Sequence, residues 1–326
     1  MNHSVLNLIG NTPLVKITRM DTGKCNLFLK LESSNPGGSI KDRIGFSMIT
    51  EAERTGRIGP GSVLVEATAG NTGLGLALVA AAKGYRLILV IPDKMSREKI
   101  IHLKAMGAEV LITRSDINVG HPEYYQDMAR RIASETPNAF FVNQFENPAN
   151  PYAHETTTGP EIYKQTNGKV DAVICGIGSS GTLTGLTHYF SEVKPGIEMI
   201  VADPVGSVIR DFVLTGSYGK AGSWLVEGIG EDFIPPVADF SMTRNAYAIS
   251  DEESFVTARS LLRKEGILAG SSSGTLIAAA LKYCHEQKRE KNVVTFVCDT
   301  GNKYLTKMYD DSWLQMKGIN LTVFEK

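Results

Sequence analysis

The chain is poor in cysteine: four residues in 326, Cys25, Cys175, Cys284 and Cys298, with no paired spacing. That excludes a disulfide framework and a zinc site of ordinary spacing, and predicts a protein of a reducing compartment that needs no metal. Charge of one sign is also missing. Lys and Arg number 34 against 35 Asp and Glu, a formal net charge of −1, so no basic field exists to hold a nucleic acid. Long hydrophobic runs are absent. LGLALVAAA (74–82) and YRLILVIP (85–92) are too short to span a bilayer, and Gly84 separates them. The opening MNHSVLNLIGNTPLV lacks a basic segment ahead of an apolar stretch, so no signal or transit peptide is expected, and the protein is expected to be cytoplasmic with no membrane role. There is no repeat, low-complexity tract or linker. What remains is an ordinary globular composition, 42% apolar and 21% charged, long enough for roughly two domains of about 150 residues.

Short runs rich in Val, Ile and Leu alternate with helical patterns. NLFLKLE (26–32), VLVEA (63–67), YRLILVI, AEVLI (108–112), AFFV, VDAVICGIG (170–178), EMIVAD (198–203) and NVVTFVC (292–298) read as strands. Helices are expected over 39–56, 71–84, 96–107, 121–134, near 155–166, from 181, and over 251–266 and 272–288, with an irregular stretch before about 250. This alternation predicts βαβ units and a mostly parallel sheet covered on both faces.

Ligands of such sheets sit at the carboxyl ends of strands, where helix N-termini attract anions. Four clusters of Gly, Ser, Thr and Asn fall at those junctions: NPGGSIKD (35–42), ATAGNTG (67–73), GIGSSGT (176–182) and AGSSSGT (269–275). GIGSSGT offers backbone N–H groups and the hydroxyls of Ser179, Ser180 and Thr182 to a phosphate. It also satisfies GxGxxG with Asp203 ending the next strand, which leaves a dinucleotide site or a plain tight turn open. ATAGNTG suits a carboxylate, or caps a helix. Lys41 lies just inside a helix start, where a cation opposes the helix dipole; a lysine of lowered pKa there can form a Schiff base with an aldehyde.

Taken together, LIGNTPLV (8–15), NPGGSIKDR (35–43), EATAGNTGLGLAL (66–78), MGAEV (106–110), GIGSSGTLTG (176–185) and SSSGT (271–275) resemble, in order and spacing, the pyridoxal-phosphate (PLP) enzymes of cysteine synthase and cystathionine β-synthase type. IPDKMSREKI (91–100), QFENPANPYAH (144–154), VEGIGEDFIPP (226–236) and DSWLQMKG (311–318) resemble the cystathionine β-synthase branch. The resemblance implies fold type II, like the tryptophan synthase β chain. That means two closely packed three-layer αβα domains with mostly parallel sheets and PLP in the cleft between them. The smaller domain would span 42–148, and the larger 1–41 with 149–326. A homodimer is implied, and a catalytic core lacking haem and the regulatory module of animal relatives.

By the same resemblance Lys41 is the Schiff-base lysine and the base for the α-proton, and Asn71 bonds the cofactor's ring oxygen. Gly178, Ser179, Ser180, Gly181 and Thr182 hold the phosphate, and Ser272 faces the pyridine nitrogen. Thr68, Ala69, Gly70, Asn71 and Thr72 bind the substrate carboxylate with Gln144, and Gly228 lines the mouth of the site. The substrates implied are L-serine or an O-activated serine and a thiol: homocysteine giving cystathionine or, alternatively, sulfide giving cysteine, or an amino nucleophile. A ring nitrogen that faces a hydroxyl is not held protonated, which favours β-elimination over transamination. Two positions depart from the family: Ala69 stands where Ser is usual, and Glu231 where cystathionine β-synthases often have Tyr.

Overall fold

The computed structural model describes residues 4–320 except 69, 94, 96, 115, 118 and 119. In chain order the strands are β1 (Leu14–Lys16), β2 (Asn26–Leu31), β3 (Val63–Ala67), β4 (Arg86–Pro92), β5 (Glu109–Thr113), β6 (Ala139–Phe141), β7 (Ala172–Gly176), β8 (Glu198–Pro204), β9 (Thr243–Ile249) and β10 (Asn292–Val297). The helices are α1 (Lys41–Arg54), α2 (Asn71–Lys83), α3 (Arg97–Ala105), α4 (Tyr125–Glu135), α5 (Ala149–Ala153), α6 (Gly159–Gln165), α7 (Gly181–Val193), α8 (Ile209–Thr215), α9 (Asp251–Glu265), α10 (Ser271–Glu286) and α11 (Asp311–Met316). A single π turn, His154–Thr158, joins α5 to α6.

The strands form two sheets. One has six strands in the order β1-β2-β10-β7-β8-β9, the other four in the order β5-β4-β3-β6. Every pairing is parallel except β1 with β2. The strands at the centre, such as β3 and β7, are buried almost throughout because helices cover both faces, and Glu66 is the one charged residue in either. The small sheet comes wholly from residues between 63 and 141, and the large one from both sides of it in sequence.

Most elements lie where the apolar runs place them. The stretch before residue 250 is not irregular throughout: it contains α8 and β9. β9 is an edge strand carrying the exposed Arg244 and Asn245, so it lacks the apolar run that marks an inner strand. α4 begins at Tyr125, later than expected. Residues 120–124 form a turn in which the Thr113 hydroxyl donates to the Glu123 carbonyl and the Gly120 N–H to Asp127.

Two contacts set the position of α1. Arg43 donates to Glu32 (2.7 Å) and to Glu161 (2.8 Å), while Lys30 donates to Glu161 at 2.6 Å, tying β2, α1 and α6 together in the interior. Burial opposes ionisation of Glu161, but the contacts with Arg43 and Lys30 outweigh it and bring its pKa down to about 2. On the other side α1 crosses α2 at Gly45 and Gly75. A Cβ on Gly75 would stand 2.6 Å from the carbonyl oxygen of Lys41, so only glycine lets the helices come this close. The first residues of the two helices, Lys41 and Asn71, therefore open into one cavity.

Candidate active site

The cavity holds about 920 Å³ and lies at the carboxyl ends of β3, β7 and β10. Lys41, Thr68, Gly70, Asn71, Thr72, Gln144, the loop 178–182, Gly228 and Ser272 all line it, although the chain separates them by up to 231 residues. Ala69 lies outside the described residues.

Lys41 donates from Nζ to the Ser179 hydroxyl at 3.3 Å. Burial lowers its pKa, against the raising effect of Cys298 and Glu231, so the amine reaches its neutral, nucleophilic form more readily than a surface lysine. The contact also brings an amine to the GIGSSGT loop, which has no Lys or Arg of its own. α7 starts in that loop without a side-chain cap, and Ser180 holds a left-handed φ of 63° before it. The first-turn N–H groups of α7 are left for a ligand. Gly181 accepts no side chain, because a Cβ would collide with the Asn150 amide oxygen. Asn150 in turn donates to Ser179 (3.0 Å) and to the Gln144 carbonyl (2.7 Å). His154 reaches Thr182 at 3.3 Å and Thr158 at 2.9 Å; burial, then the charges of Arg43 and Lys41, keep its imidazole neutral. Asn150 and His154 were not singled out as site residues from the sequence, although the stretch QFENPANPYAH contains both.

Thr72 does not cap α2. Gly70 occupies the cap position, and the Thr72 hydroxyl donates to the side-chain oxygen of Gln144 at 2.7 Å. Thr68 accepts from the Gly70 N–H at 3.1 Å. Asn71 donates to Asp299 (2.8 Å) and accepts from Lys303 (2.9 Å). Ser272, buried in the first turn of α10, lies within hydrogen-bonding reach of the Cys298 thiol, whose pKa burial pushes up to about 12. Toward the mouth, Lys99 (2.5 Å) and Lys307 (2.6 Å) both hold Glu227. Sequence patterns gave no sign of that trio, because its members come from α3, a loop and the chain's last turns.

Glu66 lies at the end of β3, beneath the 68–72 loop. It is 1% exposed and its carboxyl oxygens make no hydrogen bond of good geometry, though the backbone of Gln144, Ala67 and Asn143 approaches them. Burial pushes its pKa from 4.5 to about 8. Between those values the unfolded chain ionises Glu66 and the folded protein keeps the proton, so stability falls as pH rises, by up to about 1.4 kcal/mol per pH unit. Glu66→Gln is expected to remove that slope. Unfolding curves from about pH 5 to 8 check it; wild-type and variant stabilities that fall in parallel would refute the assignment.

A lysine of lowered pKa beside an uncapped helix start, with a buried hydroxyl at a third helix start, suits a phosphorylated aldehyde held covalently. Lys41 would take the aldehyde carbon, the 178–182 loop the phosphate and Ser272 the ring nitrogen. These features define a PLP-dependent enzyme with parallel sheets of fold type II. Residues 5–299 match the family described as pyridoxal-phosphate dependent enzyme, and the chain belongs to it.

Cystathionine β-synthase of Apis mellifera is 41% identical over 96% of this chain, which spans 62% of that relative's length. Cysteine synthase A of Salmonella typhi is 42% identical over 91% of this chain and 92% of its own. Among solved structures, O-acetylserine dependent cystathionine β-synthase from Helicobacter pylori superposes with a TM-score of 0.86, at 36% identity, over 94% of this chain and 98% of its own. Among the described residues no group of His, Cys, Asp and Glu is placed to hold a metal ion, and no helix is long and apolar enough to cross a membrane.

Proposed function

We propose that this protein catalyses β-replacement on L-serine or an O-activated L-serine with a thiol, and that homocysteine, giving cystathionine, is its preferred partner. The observation that carries the reading is the convergence of Lys41, the 178–182 loop, Ser272 and the Thr72–Gln144 pair on one cavity. PLP, when bound, supplies the electron sink that makes the α-proton of the amino acid acidic. The chain's residues do the rest. Thr68, Asn71, Thr72 and Gln144 hold the α-carboxylate, which fixes the Cα–H bond toward Lys41. Nζ of Lys41, uncharged once it is freed, takes that proton. Ser272 offers the ring nitrogen a hydroxyl and no negative charge, which limits the chemistry to loss and addition at Cβ.

The fit of the VEGIGEDFIPP and DSWLQMKG stretches favours homocysteine. The 42% identity to cysteine synthase A of Salmonella typhi supports sulfide with O-acetylserine as the second reading. In this proposal residues 42–148 form the smaller, substrate-loop domain, and 1–41 with 149–326 the larger, cofactor-binding one. Steady-state rates with serine, O-acetylserine and O-phosphoserine, each against homocysteine, sulfide and ammonia, test it. Turnover without incorporation of any nucleophile would refute it.

Thr72→Ala separates substrate binding from a purely structural contact with Gln144. One hydrogen bond to a charged group contributes about 1.5–3 kcal/mol, so the KM for the amino acid is expected to rise by about tenfold or more. The resting absorbance spectrum should not change, since the hydroxyl meets the carboxylate and not the cofactor. An unchanged KM with a lowered melting temperature would show a purely structural role.

A further inference from the structure

Asn71, the first residue of α2, lines the cavity beside Lys41, the first residue of α1. Both ends of its side-chain amide are held by charged residues that follow β10. Oδ1 accepts from Nζ of Lys303 at 2.9 Å, and Nδ2 donates to Oδ2 of Asp299 at 2.8 Å. Lys303 also reaches the carbonyls of Gly38 (3.2 Å) and Gly37 (3.4 Å). Three acceptors match the three N–H bonds of an ammonium group, so the lysine meets the amide as a cation. Burial lowers its pKa, and the charges of Asp299 and Asp42 work against that lowering. Asp299 is placed as firmly. It is fully buried, its Oδ2 also accepts from the Tyr304 hydroxyl at 2.7 Å, and its carbonyl accepts from the Gly270 N–H at 3.1 Å. A Cβ on Gly270 would collide with Asp299 Oδ1 and with the Tyr304 ring. The turn that leads into α10 and Ser272 closes on Asp299 because residue 270 is glycine.

An amide turned end for end would set its N–H bonds against Lys303 and its oxygen against Asp299. It would lose two charge-assisted hydrogen bonds and meet like poles at both ends. One orientation is therefore fixed. Of the two hydrogens on Nδ2, one goes to Asp299. Asn71 is half-buried on the cavity wall, so the second makes it a donor toward a ligand. The cation on the amide oxygen draws electrons from the nitrogen and strengthens that donor. PLP carries its ring oxygen on the carbon next to the one that bears the aldehyde. With the aldehyde carbon on Lys41, that oxygen is the acceptor closest to the lysine nitrogen. The backbone N–H of Asn71, at the start of α2, stays with the substrate carboxylate.

We propose that Lys303 and Asp299 are positioning residues of this enzyme. They hold the Asn71 amide with its N–H toward the cofactor's ring oxygen, which keeps that oxygen ionised and the proton it shares with Lys41 on the lysine nitrogen. This role rests on the PLP reading of the cavity, with Asn71 against the ring oxygen, and adds to it the two charges that set the amide. Neither residue makes or breaks a bond. Both act on the ring through Asn71.

Absorbance of the purified holoenzyme reads the proton, because the bound cofactor absorbs at longer wavelength with the proton on nitrogen than with it on oxygen. The wild type is expected to show the long-wavelength band. Lys303→Met should raise the ratio of short- to long-wavelength absorbance by about tenfold, the effect of one hydrogen bond to a charged group. It should also lower kcat by about tenfold while the KM for the amino acid changes less. Asp299→Ala reads the other end of the amide and should shift the ratio in the same direction, which keeps the test open if Lys303→Met does not fold. Asn71→Ala should raise the ratio by itself, and adding Lys303→Met to it should change nothing further. A wild-type ratio in Lys303→Met or in Asp299→Ala, whatever the melting temperature, overturns the positioning role and leaves the cofactor site standing. So does a Lys303→Met shift of equal size with and without the Asn71 amide. A wild-type ratio in Asn71→Ala overturns the contact with the ring oxygen and the positioning role with it. A protein that binds no PLP overturns the reading of the whole cavity.

Discussion

Replacing Lys41 with alanine is expected to abolish turnover, by about 10³-fold or more, and to leave the fold intact. A positioned base alone contributes about 10²–10⁴-fold, and this lysine is also the proposed covalent anchor. The fold should survive because, among the described residues, the side chain's one hydrogen bond is 3.3 Å to Ser179, and its burial disfavours the charged form. Borohydride reduction followed by peptide mass analysis reads the anchor directly. In the wild type the cofactor mass should appear on the peptide containing Lys41, and in Lys41→Ala on none. Among the described residues, Lys99 and Lys303 are other buried lysines near the cavity. Cofactor attached to either, or an active Lys41→Ala protein, would overturn the assignment.

The second large effect is expected at the phosphate loop, where a substitution should have opposite consequences for the empty and the loaded protein. Thr182 is in the first turn of α7, and an aspartate there complements the helix dipole, stabilising the cofactor-free fold by about 0.3–1 kcal/mol. The same carboxylate opposes a phosphate. At about 4 Å and an effective dielectric of about 20, like charges cost roughly 4 kcal/mol, or about three orders of magnitude in affinity. Thr182→Asp should therefore lose its cofactor on dialysis while its apo melting temperature holds or rises. Wild-type affinity measured by equilibrium dialysis would mean that the phosphate binds elsewhere. A collapse of both affinity and apo stability would point to the Thr182–His154 contact as structural.

Much of this architecture can be read along the chain because its physics is local. A strand covered on both faces favours apolar residues at nearly every position, which is why β3, β4, β7 and β10 stand out as runs of Val, Ile and Leu, despite Glu66 in β3 and Thr295 in β10. A glycine-rich turn before a helix marks a ligand position because uncapped N–H groups point out of it. Lys41 is visible for the same reason: a cation at a helix start opposes the dipole unless something else requires it there. β9 fails the first criterion. As an edge strand it faces solvent and carries Arg244 and Asn245, so it hides within a polar stretch.

The composition and the strand-to-helix junctions were enough to determine a mostly parallel α/β protein and to mark four junctions as candidate ligand loops, with Lys41 just inside one helix start. Only the tertiary structure decided how those pieces act together. Thr72 meets Gln144 across 72 residues, and Asn71 meets Asp299 across 228. Asn150 ties the 178–182 loop to Gln144, and Glu231 comes to lie beside Gly178. Such contacts carry no periodicity and no short motif. They arise because α1 and α2 touch at Gly45 and Gly75, and because strands distant in sequence end at the same edge of their sheets. The residue types at helix starts follow from local hydrogen-bonding need. Which of them share a cavity follows from close packing of whole elements, a property of the folded chain and of no segment within it.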